Sequence, residues 1–196
     1  MSHYLYHTKA LILNRRELGE ADLWLELFSE SFGRVGALAS GVRKPEAKLR
    51  YHLYGSWRGE FSLVAGKNFW RITGIEATHL PVNLKFSLAK ARAATRALGW
   101  LSRLAVAEEK HSSLFEELSG GFDFLSQEEL SRLELGDWES LLLARMIFHL
   151  GYGRRTISPW FAEEGFTWGR QLIEEFAPCR REVAAIIDEA IFHSHL

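Results

Sequence analysis

The residues predict an α+β chain in which a small closed β-barrel precedes an α-helical bundle. Three observations carry that expectation. Apolar residues alternate with period two in the first 80 positions, in segments separated by turns, and recur three and four apart from Leu84 onward. The early segments number five within about 75 residues, enough to close a barrel. Charge divides at the same place: residues 1–82 hold 11 Lys or Arg against 8 Asp or Glu, and residues 83–196 hold 13 against 17. A basic half joined to an acidic half suggests two domains with different partners, 1–80 and 81–196.

Taken in order, "YLYHTKALILN" (4–14) is rich in β-formers, and the turn "RRELGEA" follows with Gly19 as its punctuation. "DLWLELF" (22–28) sets Leu23, Leu25 and Leu27 on one face in strict alternation, and "GRVGALAS" (33–40) does so with Val35, Ala37 and Ala39. "SWRGEFSLV" (56–64) places Trp57, Phe61 and Leu63 on one side, with Arg58, Glu60 and Ser62 on the other. Gly66-Lys67-Asn68 reads as a tight hairpin from which "FWRITGIEA" (69–77) returns. Closure removes exposed edges, so a five-stranded barrel of the oligonucleotide/oligosaccharide-binding (OB) type is expected.

From Leu84 the segment "LKFSLAKARAATRALGWLSRLAVAEE" (84–109) follows the helical period and is filled with Ala, Leu, Lys and Arg. Further helices are expected near 111–126, 137–150 and 179–193. Ser126 with Glu129, and Ser158-Pro159, read as helix starts. The two-glycine stretch "LGYGRRTISPWF" (150–161) reads as a connection.

Composition is that of an ordinary globular protein, 47% hydrophobic and 25% charged. A net charge of −1 excludes a uniformly basic coat but not a local basic face. The lone Cys179 can make neither an intrachain disulfide nor a multi-cysteine zinc site. The first 30 residues contain five charged residues from Arg15 to Asp22 and no apolar signal core. No run reaches the ~20 apolar residues of a membrane span, so a soluble, cytoplasmic chain is expected.

Enzymatic signatures are missing. There is no Gly-x-x-x-x-Gly-Lys loop, no Gly-x-Gly-x-x-Gly after a strand and no Gly-x-Ser-x-Gly elbow. The Glu pairs, such as Glu116-Glu117 and Glu128-Glu129, have the pattern of a wet helical face. Catalytic acids need burial to separate their pKa values. His3 with His7, and His193 with His195, lack a cysteine partner. No metal, no cofactor and no catalysis are expected.

The connector between the third and fourth strands, "GVRKPEAKLRYHLY" (41–54), carries four Lys or Arg and one His against one Glu. Arg43, Lys44, Lys48 and Arg50, with His52, sit where an OB barrel lets a loop reach over its strands. Arg34, Arg58, Lys67 and Arg71 come from flanking strands and turns, and Arg15 and Arg16 from the first turn. Phosphates need positive charge along a groove, and unpaired bases need flat side chains on which to stack. Tyr51, Tyr54, Trp57 and Trp70 are the candidates, with Trp57 and Trp70 also fitting the apolar faces of a core. The competing reading of the connector is a solvated turn.

The order and spacing of these pieces resemble the N-terminal domain of the RecO family of DNA repair proteins. The matching elements are Gly19-Glu20-Ala21-Asp22, Gly33-Arg34, Gly41-Val42-Arg43-Lys44 and Lys48-Leu49-Arg50, within residues 9–80. Further on, "LLLARMIFHLGY" (141–152) is similar to the helix that precedes that family's zinc module. Many members carry four cysteines there, whereas this chain has none between 150 and 175, so the module is expected to be metal-free or lost. The resemblance implies a recombination mediator. Such a protein binds single- and double-stranded DNA, anneals complementary strands and, with RecR, helps load RecA on DNA covered by single-stranded DNA-binding protein. The family's helical domain engages the acidic C-terminal tail of that covering protein. Arg92, Arg96, Arg103, Arg145, Arg154 and Arg155 are the candidates for that contact. The alternative is a scaffold of a repair complex with little DNA affinity of its own.

Overall fold

The computed structural model describes residues 4–55, 57–77, 87–152 and 167–193. The chain divides into two compact units: Met1–Lys85 with Ala105–Ser112, and Phe86–Leu104 with Ser113–Leu196.

The first unit is a closed barrel of five strands: β1 (Leu5–Leu18), β2 (Asp22–Ser29), β3 (Gly33–Ala39), β4 (Arg58–Ala65) and β5 (Trp70–Ala77). Its order is β1-β2-β3-β5-β4, antiparallel throughout except for β3 beside β5. This is the expected OB-type barrel followed by helices. Period-two patterning builds it: Leu23, Leu25, Leu27, Val35, Ala37, Ala39, Phe61 and Leu63 all point inward and are buried. Each buried Leu or Phe contributes roughly 1.5–3 kcal/mol. At the end that carries the β2–β3 turn, Tyr6, Phe32 and Trp70 pack ring against ring at 4.7–5.5 Å. Trp57 is buried and Trp70 packs against the core, as their apolar faces suggested.

Three local features differ from the sequence reading. Strand β1 runs to Leu18, so Arg15 and Arg16 are strand residues paired with Leu25 and Trp24, not turn residues. Pairing continues to Leu18 opposite Asp22, which leaves only Gly19 to Ala21 for the reversal, and Gly19 makes it with φ of 57°. Second, half of the basic connector is not a loop. Leu49–Gly55 forms helix α1, because Leu49 and Leu53, four apart, both face the barrel core.

Third, Ala105–Ser112 belongs to the barrel unit rather than to a long first helix. Ala107 bridges Arg34, and the Glu108 N–H donates to the Arg34 carbonyl at 3.0 Å. This segment lies so close to the start of β3 that any Cβ at Gly33 would overlap the Glu109 carbonyl.

The second unit is helical: α2 (Leu88–Leu104), α3 (Ser112–Gln127), α4 (Arg132–His149), α5 (Arg170–Phe176) and α6 (Arg180–His193). Helix α4 is central and packs against α2, α5 and α6. It starts five residues before the expected position 137, because Ser131 and Glu134 form a reciprocal capping box. Ser126, read as a helix start, instead donates to the Asp123 carbonyl within the last turns of α3. The Ser158-Pro159 start lies outside the described residues, as does most of the 150–175 segment. Trp138, fully buried, donates its indole N–H to the Gly121 carbonyl at 2.9 Å and ties α4 to α3. Among the described residues, no helix is long and apolar enough to cross a membrane.

Candidate nucleic-acid interface

The barrel sorts its cations by the strand that carries them. A register shift in β1 between Ile12 and Asn14 changes the phase of its alternation and turns Arg15 inward opposite Leu25, where its Nε donates to the Leu53 carbonyl of α1 at 2.6 Å. Burial holds its pKa below the ordinary arginine value. Arg43 is held by two partners: Nη2 lies 2.6 Å from Glu17 Oε2, and Nη1 donates to the Gly19 carbonyl at 2.7 Å. Arg34 Nη1 is 3.4 Å from Glu26 Oε1. Arg58 stands over the Trp57 ring, 5.2 Å from its centroid. These four predicted contacts already have partners within the protein.

Arg16, Lys44, Lys48, Arg50, Lys67 and Arg71 are different. All six are exposed, and among the described residues none is held in an ion pair. On α1, burial of Leu49 and Leu53 turns Arg50, Tyr51 and Tyr54 outward, with Tyr51 66% exposed. His52 is half-buried, and its Nδ1 has no hydrogen-bond partner among the described residues.

Register places two of the exposed cations in one row. Arg16 opposes Trp24, Trp24 opposes Leu38, and Leu38 opposes Arg71, across β1, β2, β3 and β5. Directly opposed residues share a face, and here the face is the outside of the barrel. Trp24 is half-buried, lies against Gly36 and meets the Phe69 ring edge-on at 5.7 Å. Sequence reasoning passed over Trp24, although the alternation of Leu23, Leu25 and Leu27 already placed it on the opposite side. Elsewhere on the barrel the charge reverses. Lys9 opposes Glu60, and Glu60 opposes Glu76, so two carboxylates stand side by side on β4 and β5.

In the helical unit, Arg92 and Arg103 are exposed on α2, with Arg103 5.3 Å from the Trp100 ring centroid. Arg96 makes a two-pronged pair with Glu139 at 2.6 Å in each arm. Arg145 is buried between helices, where it pairs with Glu117 through Nε at 2.6 Å, and burial lowers its pKa to about 10. Arg154 and Arg155 lie outside the described residues. Among the described residues, no group of three His, Cys, Asp or Glu is placed to hold a metal ion.

Comparison with known proteins agrees with this barrel. Residues 1–81 match the family model "Recombination protein O N terminal". A DNA repair protein RecO of Desulfitobacterium hafniense is 32% identical over 111 residues, 57% of this chain and 41% of the relative. That of Dehalococcoides mccartyi is 31% identical over 139 residues, 71% of this chain and 55% of the relative. That of a Synechocystis strain is 27% identical over 194 residues, 93% of this chain and 67% of the relative. The chain spans about half the length of the first two. With the N-terminal match, these relatives and the closed five-stranded barrel together, residues 1–81 are the N-terminal domain of the RecO family, and the chain as a whole is similar to DNA repair proteins RecO.

Proposed function

We propose that this chain serves DNA repair and recombination by holding DNA strands on the basic side of its barrel, without regard to sequence, so that complementary strands can pair. The observation that supports this reading most is the set of exposed cations, Arg16, Lys44, Lys48, Arg50 and Arg71, carried by β1, β5 and the β3–β4 connector. Positive charge held there neutralises phosphate repulsion between two strands or between strands on neighbouring copies. The family name adds the setting. By that analogy, single- and double-stranded DNA, RecR and the acidic tail of single-stranded DNA-binding protein are the proposed partners, with RecA reached indirectly. Arg92 and Arg103 remain the best placed of the proposed tail contacts, because Arg96 and Arg145 already have carboxylate partners.

The test is a fluorescence-polarisation titration of a labelled oligonucleotide over a salt series. Log affinity should fall with log salt by roughly 0.7 per phosphate contact for single strands. Changing Lys44, Lys48 and Arg50 together to Ala should flatten that slope while circular dichroism stays unchanged. No binding at low salt favours a scaffold that meets DNA only through partners, and an unchanged slope removes α1 and its approach from the grip.

A further inference from the structure

A tryptophan on the outer surface of a barrel is not needed by the core, and Trp24 is arranged to do something else. The inward positions of β2 are filled by Leu23, Leu25 and Leu27, all buried. Trp24 stands on the opposite face and lies on Gly36, the one residue type that leaves room for it: a Cβ at that position would overlap the indole's six-membered ring. Phe69 abuts the ring edge-on, and Leu38, half-buried, opposes Trp24 in register. The result is an apolar seat on a solvent-facing sheet. Its two flanks are cationic, with Arg16 beside it on β1 and Arg71 two strands away on β5. Three strand spacings separate the flanking strands, about 14 Å. The carboxylates two positions to either side of Trp24 on β2 have partners of their own: Glu26 pairs with Arg34 at 3.4 Å, and Asp22 accepts the Gly41 N–H at 2.7 Å.

We propose that Trp24 is a stacking platform for an unpaired base of single-stranded nucleic acid, with Arg16 and Arg71 taking the phosphates on either side. The inference rests on the DNA-binding reading above and deepens it. Cations alone hold single strands and duplexes alike, whereas a flat indole can be covered only by a base that has left its stack. Trp24 therefore gives the barrel a preference for single strands over duplex, with no preference among bases, since each offers a π face.

The experiment compares three labelled ligands: a single strand, the same length of duplex and an oligonucleotide with abasic sites, which keeps the phosphates and lacks bases. Wild-type chain should bind the ordinary single strand about tenfold more tightly than the abasic one, the effect of about one stacked base. Trp24→Ala should abolish that difference, leave duplex affinity unchanged and leave the salt slope as it was. Trp24→Phe, which keeps a flat ring, should restore most of the discrimination and guards against loss of fold. Arg16→Ala with Arg71→Ala should lower the slope on every ligand. Wild type that binds abasic and ordinary strands equally, or a Trp24→Ala loss equal on single strand and duplex, overturns the platform. If the arginine change still lowers the slope in that case, the basic grip survives without it. Wild type that binds none of the three ligands removes both.

Discussion

Arg43 and Glu17 are joined beside the first turn of the barrel, with Nη2 of the arginine 2.6 Å from Oε2 of the glutamate and Nη1 on the Gly19 carbonyl. The most prominent cation of the basic connector is thereby spent on its own protein. An ion pair this exposed contributes less than ~1 kcal/mol to stability, but it sets which charges remain for a polyanion. Arg43→Ala should leave the salt dependence of oligonucleotide binding nearly unchanged, whereas Lys48→Ala or Arg50→Ala should lower the slope by roughly 0.7 each. Glu17→Gln, which releases Arg43, should steepen it by a similar amount. The same polarisation titration checks all four variants, and a full-sized loss from Arg43→Ala contradicts the assignment.

Gly33 is fixed by two constraints, a φ of 64° and the Glu109 carbonyl where a Cβ would stand. Gly41 has the first constraint alone, with φ of 68° and open space around it. Gly41→Ala should cost about 1–2 kcal/mol, the strain of the left-handed region. Gly33→Ala should cost a further ~1–3 kcal/mol from overpacking, by displacing residues 105–112 from β3. Urea denaturation followed by circular dichroism separates the two, and equal costs would mean that the segment yields freely.

Trp138 carries the tie between α3 and α4. Trp138→Phe keeps most of the buried ring but leaves the Gly121 carbonyl without its 2.9 Å donor. Gly121 lies within α3 and keeps its helical donor, so the loss is one buried hydrogen bond and part of a buried ring, about 1–3 kcal/mol of unfolding free energy, which should lower the denaturation midpoint. Barrel variants at Lys48 or Arg50, which touch no buried partner, should leave it in place.

His149 makes stability depend on pH. Its Nε2 is 3.1 Å from Glu117 Oε2, yet burial, reinforced by the Arg145 charge, holds its pKa below the ordinary value of 6.5. The unfolded chain therefore takes up the proton first as pH falls. Stability due to neutral His149 is fully present above about pH 6.5 and is lost as pH drops through the lower folded value. Thermal melts between about pH 7 and pH 5 should show the melting temperature falling, and His149→Gln should flatten that decline. An identical decline in the variant assigns it to other groups.

The barrel and the helices that follow it in the chain were legible in the amino-acid order because period two and period 3.6 are local properties. Leu23, Leu25 and Leu27 face inward wherever β2 is placed, and the same alternation puts Trp24 outside. The capping box of α4 was equally local, spelled by Ser131 and Glu134, but a competing Ser and Glu five residues earlier carried the same signal.

What the order of residues could not give is which cations stay available. Arg15 meets the Leu53 carbonyl 38 positions away, and Arg43 meets the Gly19 carbonyl 24 positions away. Such pairings arise only when β1, the connector and α1 are brought together by closure, and a charge count cannot distinguish a phosphate ligand from an internal anchor. Composition placed the positive charge in this half of the chain, and three-dimensional closure divided it into cations consumed within the barrel and cations left facing water. The reason is that alternation is written between neighbours, while an ion pair depends on distance in space.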